Sequence, residues 1–153
     1  MPSHRRRFLS AAAAAAGAAL LALPRLALPQ ALGADERRAV RETIEGQLLA
    51  LAAGDAVRAF SYASPTIRRQ FGDAETFIGM VRQGYAMVIR PASKSFFEPE
   101  RAERLVLQVV QLQDAAGQRW LATYQLVQLI DQTGRPWRIN GVVVTADTGK
   151  SST

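Results

Sequence analysis

From residue 40 onward apolar side chains recur at helical spacing. Val40, Ile44, Leu48 and Leu51 fall four, four and three residues apart and form one stripe. Asp35 is placed to cap this helix, and Glu36 in its first turn suits the helix dipole. Gly54 is a stop signal and Asp55 a new start, so Val57 and Phe60 belong to a second, short helix. Ser64-Pro65 is a further start, a capping hydroxyl with proline at the first helical position, and that turn closes at Gly72. Asp73 opens a longer helix with Phe77, Met80 or Val81, Gly84 and Val88 inward. It ends by Arg90, because Pro91 disfavours a helical residue before it.

After Pro91 the period changes to two. Lys94 to Glu98 reads as a short strand, and Glu103 to Gln113 as a longer one with Leu105, Leu107 and Val109 opposite Val106, Gln108 and Val110. Asp114 to Gly117 is a tight turn. Arg119 to Ile130 alternates Trp120, Ala122, Tyr124 and Leu126 with Leu121, Thr123, Gln125 and Val127. Asp131 to Gly134 turns again, and Trp137 to Thr145 is the last strand. Helices followed by an antiparallel meander predict an α+β domain, with the helices on one face of a curved sheet. Both faces of the strands are apolar, whereas a sheet with one wet face alternates more cleanly. Either one face lines a closed pocket or a second subunit covers it.

The chain ahead of this pattern is different in kind. Arg5, Arg6 and Arg7 precede an apolar run from Phe8 to Leu23, rich in alanine. That run is shorter than the roughly twenty residues a spanning helix needs, so a stable membrane anchor is not expected. A basic head, a short apolar body and small residues at Ala31 and Gly33 predict a secretory signal peptide over residues 1–33, cleaved after Gly33. Arg5-Arg6, one variable residue, then Phe8-Leu9 resembles the twin-arginine motif of leaders that carry folded cargo. His4 and Ser10 depart from the usual flanking residues of that motif. The expected partner of the leader is the twin-arginine translocase, and the expected location is the periplasm. The domain then occupies residues 34–146, and the small polar segment 147–153 is expected to be a flexible tail.

Removing the leader changes the charge. The 19 basic residues become 15 against an unchanged 13 acidic ones, so the formal charge falls from +6 to +2. The remaining arginines are scattered, and no basic stripe with interleaved aromatics points to nucleic acid. His4 is the only histidine and cysteine is absent. The domain therefore has no Ser-His-Asp or Cys-His nucleophile and no ordinary zinc, copper or haem ligands. No cofactor motif is present, and no metal site or catalytic residue is assigned.

The order of elements resembles the nuclear-transport-factor-2-like cone, a cystatin-like α+β fold shared by ketosteroid isomerase and the SnoaL-like polyketide cyclases. The chain is also similar to a bacterial family of small exported proteins known only as a domain of unknown function. The residues that carry this are Phe60, Ala63-Ser64-Pro65, Phe71-Gly72, Phe77 with Met80-Val81, Tyr85, Arg90-Pro91-Ala92-Ser93, Gln108-Val109-Val110, Asp114, Trp120 with Ala122 and Tyr124, and Trp137-Arg138-Ile139-Asn140-Gly141. The resemblance implies a pocket between sheet and helices, and frequent dimerisation through the sheet's other face. It carries no activity, and fold alone does not give function.

Within such a pocket, Tyr85, Gln108, Trp120 and Tyr124 are the candidate lining residues. Trp120 and Tyr124 lie four apart on a strand and share a face, and Gln108 sits mid-strand on the neighbouring strand. Arg90 is the candidate cation for an anionic ligand. The plainer reading makes the aromatics core and Arg90 a surface residue at a helix end. Acid–base catalysis in the manner of ketosteroid isomerase needs a pocket carboxylate, but Asp55 and Asp73 sit at helix starts and Asp114 and Asp131 in turns. The reading therefore leans away from an enzyme. Three possibilities stay open: a module binding a small apolar or amphipathic molecule, a homodimeric structural or partner-binding envelope protein, and a small isomerase, cyclase or dehydratase.

Overall fold

Caps and apolar stripes set the helices much as the pattern predicts. The structure is a computed structural model that describes residues 31–130 and 134–149. Helix α1 spans Ala34–Ala52, α2 Ala56–Ser61, α3 Pro65–Phe71 and α4 Ala74–Gly84, followed by a 3-10 turn at Ala86–Val88. Val40, Ile44, Leu48 and Leu51 are all buried. Asp55 accepts from Arg58 N–H at 3.0 Å, Ser64 from Ile67 N–H at 3.2 Å, and Asp73 from Thr76 N–H at 2.7 Å, so each of these side chains satisfies an orphan donor at a helix start.

The first helix starts differently from expectation. Gly33 is the cap, and the Glu36 carboxylate accepts from its N–H at 3.2 Å. Asp35 lies inside the first turn, paired with Arg38 at 2.8 Å. Leu32, just ahead of the cap, is 2% exposed and belongs to the core. Helix α4 stops at Gly84, within the limit that Pro91 sets at Arg90 but short of Val88, which the pattern places on its inner face. Glycine weakens a helix interior by about 1 kcal/mol, and Tyr85 leaves the helical region with φ −135°. The 3-10 turn then seats Val88 in the core.

The strands are β1 Ser93–Phe96, β2 Glu100–Ala102, β3 Leu105–Gln113, β4 Arg119–Gln128 and β5 Trp137–Ala146. They form one antiparallel sheet in the order β1-β3-β4-β5, with β2 also paired to β3. The protein is thus an α+β domain, helices first and sheet second. Strand β2 is absent from the sequence reading because Glu100-Arg101-Ala102 carries no apolar alternation. It exists because β3 extends beyond β1 and offers free backbone groups at Leu105–Leu107. Glu103, with φ 54°, makes the turn into β3, which therefore starts at Leu105.

The two faces now separate. Val106, Gln108, Val110 and Leu112 of β3 and Ala122, Tyr124 and Leu126 of β4 are buried beneath the helices. Leu107, Val109 and Leu121 on the opposite face are half-buried, and Val143 and Phe97 are 56% and 51% exposed. Asp147, in the segment expected to be a flexible tail, is held by Gln111 at 2.8 Å and by its own N–H to Arg119 O at 2.9 Å. Arg5, Arg6, Phe8 and Leu9, the turn at 131–133 and the final residues 150–153 lie outside the described residues.

Candidate functional site

Strand β5 is irregular where α3 meets it. Gln125 pairs with Gly141, but Leu126 pairs with Ile139, so Asn140 is one residue too many for β4. Such a bulge shifts the alternation of side chains. Ile139 and Val142, three apart, both face the helices, which a regular strand forbids.

The loop before α3 is strapped to this bulge. Ile139 N–H donates to Tyr62 O and Ser64 N–H to Ile139 O, each at 2.8 Å. The Ser64 hydroxyl donates to Asn140 Oδ1 at 2.8 Å, while its oxygen caps α3. One serine therefore aims α3 and ties it to the sheet. The Tyr62 ring lies so close to Gly46 of α1 that a Cβ there would fall inside van der Waals contact.

Because α3 is held over β5 at this spot, a space stays open between α1, α3, α4 and the sheet. The cavity measures about 210 Å³. Its floor is Tyr124 of β4 with Ile139, Gly141 and Val142 of β5. Gln47 and Leu51 of α1, Ile67, Gln70 and Phe71 of α3, and Phe77, Met80 and Val81 of α4 form the walls, and Ala63, Tyr85 and Val88 complete the lining of a space that opens to solvent on one side. Phe77 stacks tilted on Phe60 at 5.4 Å and meets the edge of Phe71 at 5.8 Å, which fixes the aromatic wall. Every lining side chain is uncharged.

Two buried polar groups open onto this space. Tyr124 is 1% exposed and burial pushes its phenol well above the ordinary range. It is a neutral hydroxyl at any physiological pH, and no protein group among the described residues hydrogen-bonds to it. Gln47 is 5% exposed and donates through Nε2 to Ala59 O at 3.3 Å. Only the amide nitrogen can face that carbonyl, so the assignment of its two ends is set by chemistry. No described residue donates to Gln47 Oε1.

Of the residues singled out from sequence, Tyr85 and Tyr124 meet at the cavity. Gln108 sits directly opposite Tyr124 in the sheet, but its Nε2 donates to Phe97 O at 2.6 Å and Val109 O at 2.9 Å, towards the β1–β2 edge. Trp120 is half-buried, with its indole N–H towards Asp114 Oδ2 at 3.4 Å. Arg90 is exposed and donates to Ala52 O at 2.8 Å, where it satisfies the C-terminus of α1. None of these three is among the lining residues. The cavity lies over β4 and β5 and not over β3, and the bulge is the reason.

Gln47 and the α3–α4 wall are not among the candidate lining residues read from the sequence, which places Phe77 and Met80 or Val81 inward as core. Gln47 did carry a signal: it is a polar residue inside the apolar stripe, three after Ile44 and four before Leu51. The bulge left none, since Ile139, Asn140 and Gly141 alternate like any strand. Among the described residues no group of three His, Cys, Asp or Glu could hold a metal ion. Among them, too, no helix is long and apolar enough to cross a membrane.

No curated protein and no solved structure matches the chain. A family model does match, over residues 34–152, and it spans all five strands and every helix described above. The chain belongs to the family described as domain of unknown function DUF4864.

Proposed function

We propose that this protein is an exported, non-catalytic module that binds a small apolar or amphipathic molecule between its helices and its sheet. The observation that carries the reading is the cavity itself. Aromatic and aliphatic walls with a few fixed polar groups are the usual makeup of a small-molecule site. Tyr85 and Tyr124 contribute to it directly; Gln108 and Trp120 brace the same face of the sheet, and Arg90 steadies α1. The helices-then-sheet order and the cavity between the layers suit the nuclear-transport-factor-2-like cone. Native mass spectrometry of the protein purified from the periplasm tests this. A retained small-molecule adduct supports binding; a bare polypeptide that takes up no ligand on titration overturns it.

Export rests on Arg5, Arg6, Phe8 and Leu9, read as a signal for the twin-arginine translocase. Replacing Arg5 and Arg6 with lysine is expected to block export, and normal export of that variant would refute the route. The family match and α1 both begin at Ala34. Leu32 and Gly33, however, supply a core side chain and the cap of α1. Sequencing the mature N-terminus distinguishes cleavage after Gly33 from cleavage further upstream that spares both.

A second reading, a homodimer, is favoured by the outer sheet face. Val109, Thr123 and Val143 lie in register across three strands, flanked by Leu107, Leu121 and the exposed Phe97. An apolar patch of this kind is self-complementary under two-fold rotation. Sedimentation velocity is expected to give twice the monomer mass, and Val143→Glu to return it to monomer.

A further inference from the structure

Resting on the binding reading above, we infer that the ligand is a neutral alcohol or phenol whose hydroxyl lodges between Tyr124 and Gln47. Size comes first. A cavity of about 150 Å³ accepts benzene, so one of this volume accommodates roughly eight to ten non-hydrogen atoms. Charge comes next. Every lining side chain is neutral, so a carboxylate or ammonium drawn inside would lose its hydration with no counter-ion to replace it. Arg90, the candidate cation read from the sequence, is not among the lining residues and is committed to Ala52 O.

The head group follows from the two open polar atoms. Gln47 Oε1 is an acceptor, and one of the two Nε2 hydrogens is taken by Ala59 O. The Tyr124 hydroxyl both donates and accepts, and its raised pKa keeps the proton in place. A ligand hydroxyl serves both: it donates to Gln47 Oε1 and accepts from Tyr124. A ketone or ether would meet Tyr124 and leave Gln47 Oε1 without a donor. A hydrocarbon would bury both polar atoms unpaired, which costs affinity. The apolar remainder then lies against Phe71, Phe77 and Met80.

Three probes of one shape separate these chemistries: 4-methylphenol, toluene and 4-methylbenzoate, each titrated into the 15N-labelled protein and followed by amide chemical shifts. The expected order is 4-methylphenol ahead of toluene by about tenfold, the size of one buried hydrogen bond, with 4-methylbenzoate weakest. Tyr124→Phe keeps the ring and removes the hydroxyl; it is expected to cut 4-methylphenol affinity about tenfold and leave toluene unchanged. Gln47→Met is expected to act in the same sense. Toluene binding as tightly as 4-methylphenol, or 4-methylbenzoate binding tightest, overturns the hydroxyl inference while the binding reading stands. If none of the three shifts the residues around the cavity, both fall.

Discussion

The inner face of the sheet has two halves built from similar residues, one solid and one hollow. Over β3, Val106, Val110 and Leu112 have no exposed surface at all. Over β4 and β5, on the same face, Tyr124, Ile139 and Val142 border an open cavity. Composition does not separate them. The solid half has regular pairing along its whole length, from Gln113–Arg119 to Leu105–Val127. The hollow half has the bulge at Asn140 and the strap from Ser64 that seats α3 on it. A cavity here is the result of how one helix is hung, and apolar side chains only line what that leaves.

The contrast predicts that truncation costs more in the solid half. Leu112→Ala opens a void beneath helices that cannot follow it, and is expected to lose about 2–5 kcal/mol in denaturant unfolding. Gly46→Ala attacks the hollow half from behind. Alanine favours α1 by up to about 1 kcal/mol, but the Tyr62 ring must move, at a cost of roughly 1–3 kcal/mol. Tyr62 O holds Ile139 N–H, so ligand affinity should fall with stability, and unchanged binding would show that the strap does not shape the cavity.

Ser64→Ala removes the cap of α3 and its bond to Asn140 together, for about 1–2 kcal/mol. Asn140→Ala measured alone and with Ser64→Ala forms a cycle; strict additivity would mean that the two side chains are not coupled. Met80→Ala, the counterpart of Leu112→Ala on the cavity wall, removes a half-buried side chain that already borders open space. It is expected to lose only about 1 kcal/mol, and a loss as large as that of Leu112→Ala would break the comparison.

Acid gives the smallest and least local effect. Arg101 and then the Gly33 N–H hold Glu36 below its ordinary range; the Thr76 backbone and hydroxyl do the same for Asp73, and the Gly149 N–H and Gln111 amide for Asp147. A lowered folded-state pKa adds stability that is complete above the ordinary carboxylate range and is lost as pH falls through the lowered values. None of the three lines the cavity. Stability should therefore decline below about pH 4 with ligand affinity per folded molecule unchanged, checked by urea midpoints and binding titrations at matched pH.

Much of the fold was legible because its signals are local. Asp55, Ser64 and Asp73 mark helix starts through a hydrogen bond to a backbone N–H three residues on, which needs no distant partner. Strands β3, β4 and β5 announce themselves by alternation. What escaped the sequence had no local energy behind it. Strand β2 is stabilised only by the free edge of β3, and α4 stops at Gly84 in favour of a turn that seats Val88. The site was half legible. Tyr85 and Tyr124 stood out as aromatics and both line the cavity, whereas Gln108 and Trp120 share the sheet face of Tyr124 yet look towards other partners.

By itself, then, the amino-acid sequence determined the order of helices and strands, most caps, and the absence of histidine and cysteine from the folded domain. Those follow from φ/ψ preference, periodicity and residue chemistry, all of which act within a few residues. Tertiary structure alone decided which sheet face is covered, where the bulge falls, and that Gln47 and Tyr124, 77 residues apart, open onto one uncharged cavity. The physical reason is range: a cavity is the space left among α1, α3, α4 and β5 once each has satisfied its own contacts, and no single segment encodes it.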